Sequence, residues 1–230
     1  HDFKNREEID FERIKNYEEW LRIQYGNYFA ENFPMKYTQK YWTLPANKLE
    51  TKWVGNRMYK PDLQEVIKGC KTNDTPYTYY AKELRYPKKG GYKSFLNNIS
   101  KKCKINYNSE VYKIDIKNKL VKTKAGLNYK FKNLISSLPL TEIIPMISDC
   151  PKEVSEAANK LNYSSGYLIS LGLNKPNLFK DLWFYIYDLD ILPARVYSPS
   201  MKSEDNVPKG CSSIQAELYV NRGKKLNKSN

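Results

Sequence analysis

The strand-like runs in the second half of this chain are joined by connections that rarely resemble helical crossovers, and that limits the folds open to it. Val111-Tyr112-Lys113-Ile114-Asp115-Ile116 alternates with period two, Lys117-Asn118-Lys119 turns the chain, and Leu120-Val121-Lys122-Thr123-Lys124 returns as its partner. Tyr129-Lys130-Phe131 and Leu134-Ile135 predict short strands, and residues 165–173, 182–187, 194–198 and 212–219 predict four more. Two short helices fall around 141–148 and 151–160. Parallel strands need a long crossover, usually a helix. With few such crossovers, the chain reads as α+β with a mostly antiparallel sheet.

The first part of the chain reads differently. Asn16 can cap a helix, and Glu19 can reach back to the cap amide. Tyr17, Trp20, Leu21, Tyr28 and Phe29 then approximate helical spacing, which predicts a helix over 17–32 ended by Pro34. Residues 36–60 look like irregular aromatic-rich loops with short helical turns, and 61–67 suggests another short helix. Gly90-Gly91 breaks the chain, and 92–101 reads as a helix with Phe95, Leu96 and Ile99 inward. The division that follows is a helical and loop part over 1–85, a strand-rich part over 86–160 and an antiparallel sheet over 161–220. The polar tail, 221–230, is expected to fray.

Composition removes several classes of chemistry. The single histidine is His1, at the first position. Acid–base catalysis by histidine, a Ser-His-Asp triad and histidine-rich metal sites are therefore excluded within this chain. Cys70, Cys103, Cys150 and Cys211 are far apart with no CxxC, so no metal site is expected and reduced thiols are the default. The formal net charge is +14. The lysines are spread along the chain rather than gathered on one helix, which fits a biased composition better than a polyanion-binding face. No zinc-finger or RNA-recognition signature is present, so nucleic acid is not an expected partner. No apolar run is long enough to span a membrane.

What remains are tyrosines, arginines, carboxylates and a bound cofactor. Tyr185 and Arg195 lie on neighbouring strand-like runs, where a phenol and a planar guanidinium can grip an anion together. Three blocks then occur in a recognisable order. The first is Tyr17-Glu18-Glu19-Trp20-Leu21 with Tyr25-Gly26, then Lys36-Tyr37-Thr38-Gln39-Lys40-Tyr41-Trp42 and Trp53-Val54-Gly55-Asn56-Arg57. The second is Tyr86-Pro87-Lys88-Lys89-Gly90-Gly91, followed by a helix and the strands from Glu110-Val111. The third is the Tyr185/Arg195 region followed by Val207-Pro208-Lys209-Gly210-Cys211-Ser212-Ser213-Ile214-Gln215-Ala216-Glu217. Together they resemble the substrate-side half of UDP-galactopyranose mutase-type flavoproteins, over about residues 16–219.

The resemblance implies flavin adenine dinucleotide (FAD) as cofactor and a UDP-sugar as substrate. It implies a reaction in which UDP leaves, the sugar ring opens and recloses between pyranose and furanose, and UDP returns. Arg57 and Arg195 would cradle the diphosphate, with Tyr185 donating to it. Trp42 and Thr38 would lie at the sugar pocket, and Gly90, Gly91 and the backbone of Val111 would meet the flavin. No GxGxxG is present, so the complete Rossmann FAD-binding domain is lacking. The resemblance implies that this domain precedes the chain and that a further flavin-contacting segment follows it. Thr38 stands where the mutases usually carry Asn, and Ala194 where an aromatic usually precedes the second arginine. The expected setting is the cytoplasm, in cell-surface polysaccharide synthesis. Two alternatives stay open: an FAD-dependent oxidase or desaturase of the amine-oxidase and protoporphyrinogen-oxidase group, and a non-catalytic basic binding domain.

Overall fold

The structure, a computed structural model, describes residue 4 and residues 13–54, 58–59, 61–72, 84–176 and 180–226. It divides into two units, one of His1–Phe95 with Tyr163–Asn230 and one of Leu96–Asn162. In the first unit, α1 (Tyr17–Tyr25) is capped by Asn16, whose side chain accepts from the Glu19 amide at 3.0 Å. Glu19 reaches one residue beyond the cap, to the Lys15 amide at 2.9 Å. The single helix expected over 17–32 is two: Gly26 takes φ 79°, which a side chain disfavours, and α2 (Asn27–Asn32) starts afresh. Pro34 opens a helix instead of ending one, because the first helical position does not use its amide hydrogen. The result is α3 (Pro34–Tyr41), where irregular loop was expected. A 3-10 turn at Ala46–Lys48 follows, and then α4 (Leu63–Gly69), held by a capping box between Asp62 and Glu65.

Tyr17, Trp20 and Leu21 form one stripe of α1 and meet Ala30, Ala46 and Val54 in a buried cluster. On α3, positions four apart separate two roles. Phe33, just before the helix, and Tyr37 on it pack edge-on against Tyr187 and Tyr185, with ring centroids 5.2 and 5.1 Å apart. Tyr41 meets Tyr219 at 4.6 Å. Thr38 turns the other way and is buried, with a hydrogen bond to the Tyr17 side chain.

In the second unit, α5 (Asn97–Ser100) follows a 3-10 turn, Tyr92–Leu96, that begins in the first. Phe95, Leu96 and Ile99 are 54%, 53% and 60% exposed, not inward. The change from 3-10 to α geometry leaves no continuous apolar stripe. Strands β1 (Val111–Asp115), β2 (Leu120–Thr123) and β3 (Asn128–Lys130) form an antiparallel meander in that order. Ile114 pairs with Val121, and both are buried. Asp115 closes the turn by accepting from the Asn118 amide and side chain, both at 2.8 Å. Leu134-Ile135 is not a strand, and Ile135 is almost fully exposed. The unit ends with α6 (Leu140–Ile143), a 3-10 turn at Ile144–Met146 and α7 (Lys152–Lys160).

The first unit's sheet contains β4 (Ser164–Leu173), β5 (Trp183–Tyr185), β6 (Arg195–Tyr197) and β7 (Ser212–Asn221). Their order is β4-β7-β6-β5 and every pairing is antiparallel, giving the expected α+β architecture. Strand β4 is a ten-residue edge with no charged side chain, and Leu168, Ile169 and Leu171 on it are about half exposed. Among the described residues, no helix is long and apolar enough to cross a membrane.

Leu21 is fully buried at the centre of the helical cluster. Leu21→Ala is expected to lower unfolding free energy by about 2–5 kcal/mol, the range for an interior Leu truncation, as read by urea denaturation.

Candidate functional site

Tyr185, Arg195 and Glu217 are neighbours across three strands: Tyr185 pairs with Arg195, and Arg195 pairs with Glu217. Backbone bonds fix the approach to β6. The Ala194 amide donates to the Glu217 carbonyl at 2.8 Å, and the Ile186 amide donates to the Ala194 carbonyl at 3.0 Å. The guanidinium of Arg195 grips the carboxylate with two donors, Nε to Oε2 at 3.0 Å and Nη2 to Oε1 at 2.7 Å. Tyr219, two residues along β7, donates its hydroxyl to Oε2 at 2.8 Å. Glu217 is 6% exposed, whereas the Arg195 side chain is 35% exposed. One edge of the guanidinium is therefore anchored below, and its other N–H groups remain available to a ligand. Burial works against the charge on Arg195. The Glu217 hydrogen bonds and charge, with the Tyr185 phenol in hydrogen-bonding reach, outweigh it and hold the group firmly protonated.

Arg195 lines a cavity of about 210 Å³ with Tyr86, Trp183, Tyr185, Tyr197 and Lys202. A second cavity, of about 490 Å³, is lined by Tyr25, Phe29, Phe33, Tyr37, Tyr185 and Tyr187 among others. Tyr185 belongs to both walls. Burial pushes the Tyr25 phenol up to about 12, and it raises Tyr37 and Tyr187 above the ordinary value as well. These phenols are neutral at physiological pH, so they offer flat apolar faces to a ligand, while the Tyr25 hydroxyl donates to the Tyr59 carbonyl at 3.0 Å. Lys40 ties α3 to the loop between β5 and β6, donating to the carbonyls of Asp188 at 2.9 Å and Ile191 at 2.7 Å.

The other residues singled out from sequence are dispersed. Thr38 is buried under α3 against Tyr17, away from both cavities. Trp42 is 41% exposed at the end of α3, beside Tyr41 and Trp53. Arg57 lies outside the described residues. Ala194 is fully buried. Val111 is on β1 in the second unit, where it pairs with Thr123 and the register then shifts before Lys113. The Gly90 amide donates to both Asp205 oxygens at 2.7 and 3.0 Å, which holds that carboxylate below its usual range. Gly91 has φ 57°, and a Cβ there would sit 2.8 Å from Oδ1 of Asn206. Its missing side chain thus makes room for the chain's own Asn206. A cavity of about 620 Å³ adjoins Gly91, lined by Tyr86, Tyr92, Ser170, Lys202, Asn206 and Gln215 among others.

Glu217, Tyr219 and Lys202 were not among the sequence-derived candidates. A carboxylate inside the strand-like run Ser212 to Leu218 was the available signal for Glu217. Its partner depends on a register that no local pattern encodes.

No protein-family model matches the chain. Among solved structures, a reduced UDP-galactopyranose mutase shares the fold with a TM-score of 0.85 and 25% identity, over 96% of this chain and 50% of the mutase chain. A protein from Pyrococcus furiosus matches with a TM-score of 0.64 and 16% identity, over 96% of this chain and 52% of its own, a likeness of fold alone. The chain has the fold of one half of such a mutase and spans about half its length.

Arg195→Ala and Glu217→Ala are each expected to cost about 1–3 kcal/mol of stability, because each strands a partner of a charge-assisted bond. The double replacement is expected to cost less than the sum, since the two residues act as a unit. Denaturant unfolding of the four proteins in the cycle checks this, and additive losses would show that the pair is not coupled.

Proposed function

We propose that this chain is one half of a flavin-dependent sugar-nucleotide mutase that interconverts the pyranose and furanose forms of a UDP-sugar. The observation that carries the reading is the junction of two unlike cavities at Tyr185. One is walled by aromatic rings and suits a flat base. The other presents the anchored guanidinium of Arg195 and suits a diphosphate. A nucleoside diphosphate joins these two chemistries in one ligand. The likeness in fold to a UDP-galactopyranose mutase supports the same reading.

In this reaction the leaving group is a diphosphate, and negative charge grows on it as the glycosidic bond breaks. Arg195, already fixed by Glu217, meets that charge without reorganising, which is the condition under which such a contact lowers a barrier. The Tyr185 hydroxyl donates to the same group. Arg57, from the first block of the resemblance, is assigned to the same diphosphate. Trp42 and Thr38 are assigned to the sugar side, Thr38 through the packing of α3 since its own hydroxyl is engaged. The cavity beside Gly91, walled by both aromatic and polar side chains, is assigned to the ring of FAD, while the Gly90 amide is occupied by Asp205. Val111, on β1, is assigned the adenine edge through its backbone. Bound there, reduced flavin would supply the electron pair for the nucleophilic step at the sugar, while Arg195 and Tyr185 would hold the departing diphosphate. In this reading a Rossmann-like domain outside the present chain completes the cofactor site, and the enzyme works in the cytoplasm for cell-surface polysaccharide assembly. An oxidase of the amine-oxidase type is the second reading. The apolar lining of the aromatic cavity favours it, but it leaves the Arg195 cavity without a purpose.

In the full protein, Arg195→Ala is expected to reduce UDP-sugar turnover under reducing conditions by about 10²–10³ while flavin content stays near that of the parent. Arg195→Lys, which keeps the charge but loses the fork, is expected to fall between the two. Chromatographic turnover of UDP-galactose with flavin absorbance checks both. A parent inert towards UDP-sugars that consumes oxygen with an amine would replace the mutase by the oxidase.

A further inference from the structure

We infer that Lys202 is the second cation of the Arg195 cavity and contacts one phosphate of a diphosphate whose other phosphate lies on Arg195. This rests on the reading of that cavity as a nucleotide site. Lys202 closes the 3-10 turn Pro199–Met201, with its amide donating to the Pro199 carbonyl at 3.0 Å. The turn is fastened to β7. Ser198 donates to the Ser213 carbonyl at 2.9 Å, and Ser200 and Ser213 exchange amide-to-hydroxyl bonds at 3.2 Å. From this fixed base the side chain folds back over Tyr197, with its amine 4.0 Å from the ring centroid and 5.5 Å from that of Tyr86. Arg195 stands over the same Tyr197 ring at 5.9 Å.

The charges in this cavity do not balance. Arg195 and Lys202 bring two positive charges, and Glu217 brings one negative charge already gripped by Arg195 and Tyr219. Among the described residues, no carboxylate pairs with the Lys202 amine. Burial lowers its proton affinity, and the charge on Arg195 lowers it further, with Glu217 opposing. Two like charges held together in a half-buried cavity repel unless an anion sits between them. Aromatic faces hold an ammonium without neutralising it, so Tyr197 and Tyr86 keep the amine in place and leave its charge to a ligand. A single phosphate satisfies Arg195 alone. A diphosphate reaches both cations, and the second charge is the feature that Lys202 selects.

The test is calorimetric titration of the full protein with UDP, UMP and inorganic pyrophosphate, using the parent, Lys202→Met and Lys202→Arg. Met preserves the apolar stem over the rings. It is expected to raise Kd for UDP by about tenfold or more while Kd for UMP changes less than about threefold, the scale of losing one charge-assisted contact. Lys202→Arg is expected to restore most of the UDP affinity. Equal weakening of UDP and UMP without rescue by Arg would show a packing role and overturn the inference, as would parent-like UDP binding by Lys202→Met. A parent that binds pyrophosphate in a Lys202-dependent manner but not UDP would keep the anion site and remove the UDP-sugar reading. A parent that binds neither UDP nor pyrophosphate would remove both.

Discussion

The ion pair between Arg195 and Glu217 organises the site. Strand β6 has three residues, too few for backbone bonds alone to fix a long side chain at its end. The pair adds a two-point lock between β6 and β7 at the place where the strands are already in register. Isolated in the sheet, the Glu217 carboxylate would be costly, because a nearly buried charge needs both a counter-ion and further hydrogen bonds. Arg195 supplies the first and Tyr219 contributes to the second. The stability gained is modest, since desolvation cancels much of the attraction between such charges. The larger effect is geometric: one edge of a guanidinium is held still while the rest faces a cavity.

Helix α3 carries that order outward. Its residues four apart place Tyr37 against Tyr185 and Tyr41 against Tyr219, so two of the groups touching the ion pair are themselves braced by aromatic contacts from a helix. Its other side, through Thr38, is joined to the buried cluster built on α1. A disturbance of the helical core therefore reaches the Tyr185 and Glu217 neighbourhood through packed rings. Lys40 adds the last tie, holding the loop that presents Arg195 to β6 by two of its carbonyls.

The sequence was legible where local rules act alone. Period-two alternation marked the β1–β2 hairpin, and the long β7 and the pairing of Tyr185 with Arg195 followed from strand runs and their spacing. It misled where one residue has two opposite uses. Pro34 can stop a helix or start one, and the aromatic density after it looked irregular because the rings face a sheet that only the tertiary fold supplies. At Gly91 a Cβ would meet Asn206, 115 residues further on, a close approach that no local pattern announces. Glu217 and Lys202 were hidden because their meaning lies in register and in a turn folded back on an aromatic ring. A charge count along the chain made Lys202 one lysine among many.

Strand β4 has a consequence for the colloidal behaviour of this chain. An uncharged edge with half-exposed leucine and isoleucine is a template for pairing with another copy, and it lacks the lysine or proline that commonly blocks such pairing. What opposes self-association is the charge of the whole molecule, +14, acting through water. That repulsion is screened over about 10 Å at 0.1 M salt and about 3 Å at 1 M, whereas edge-to-edge hydrogen bonds and apolar contact are not. On these grounds salt is expected to favour association of the chain. Its light scattering should rise with ionic strength at constant pH, and flat scattering across that range would show that the β4 edge is guarded by something other than charge.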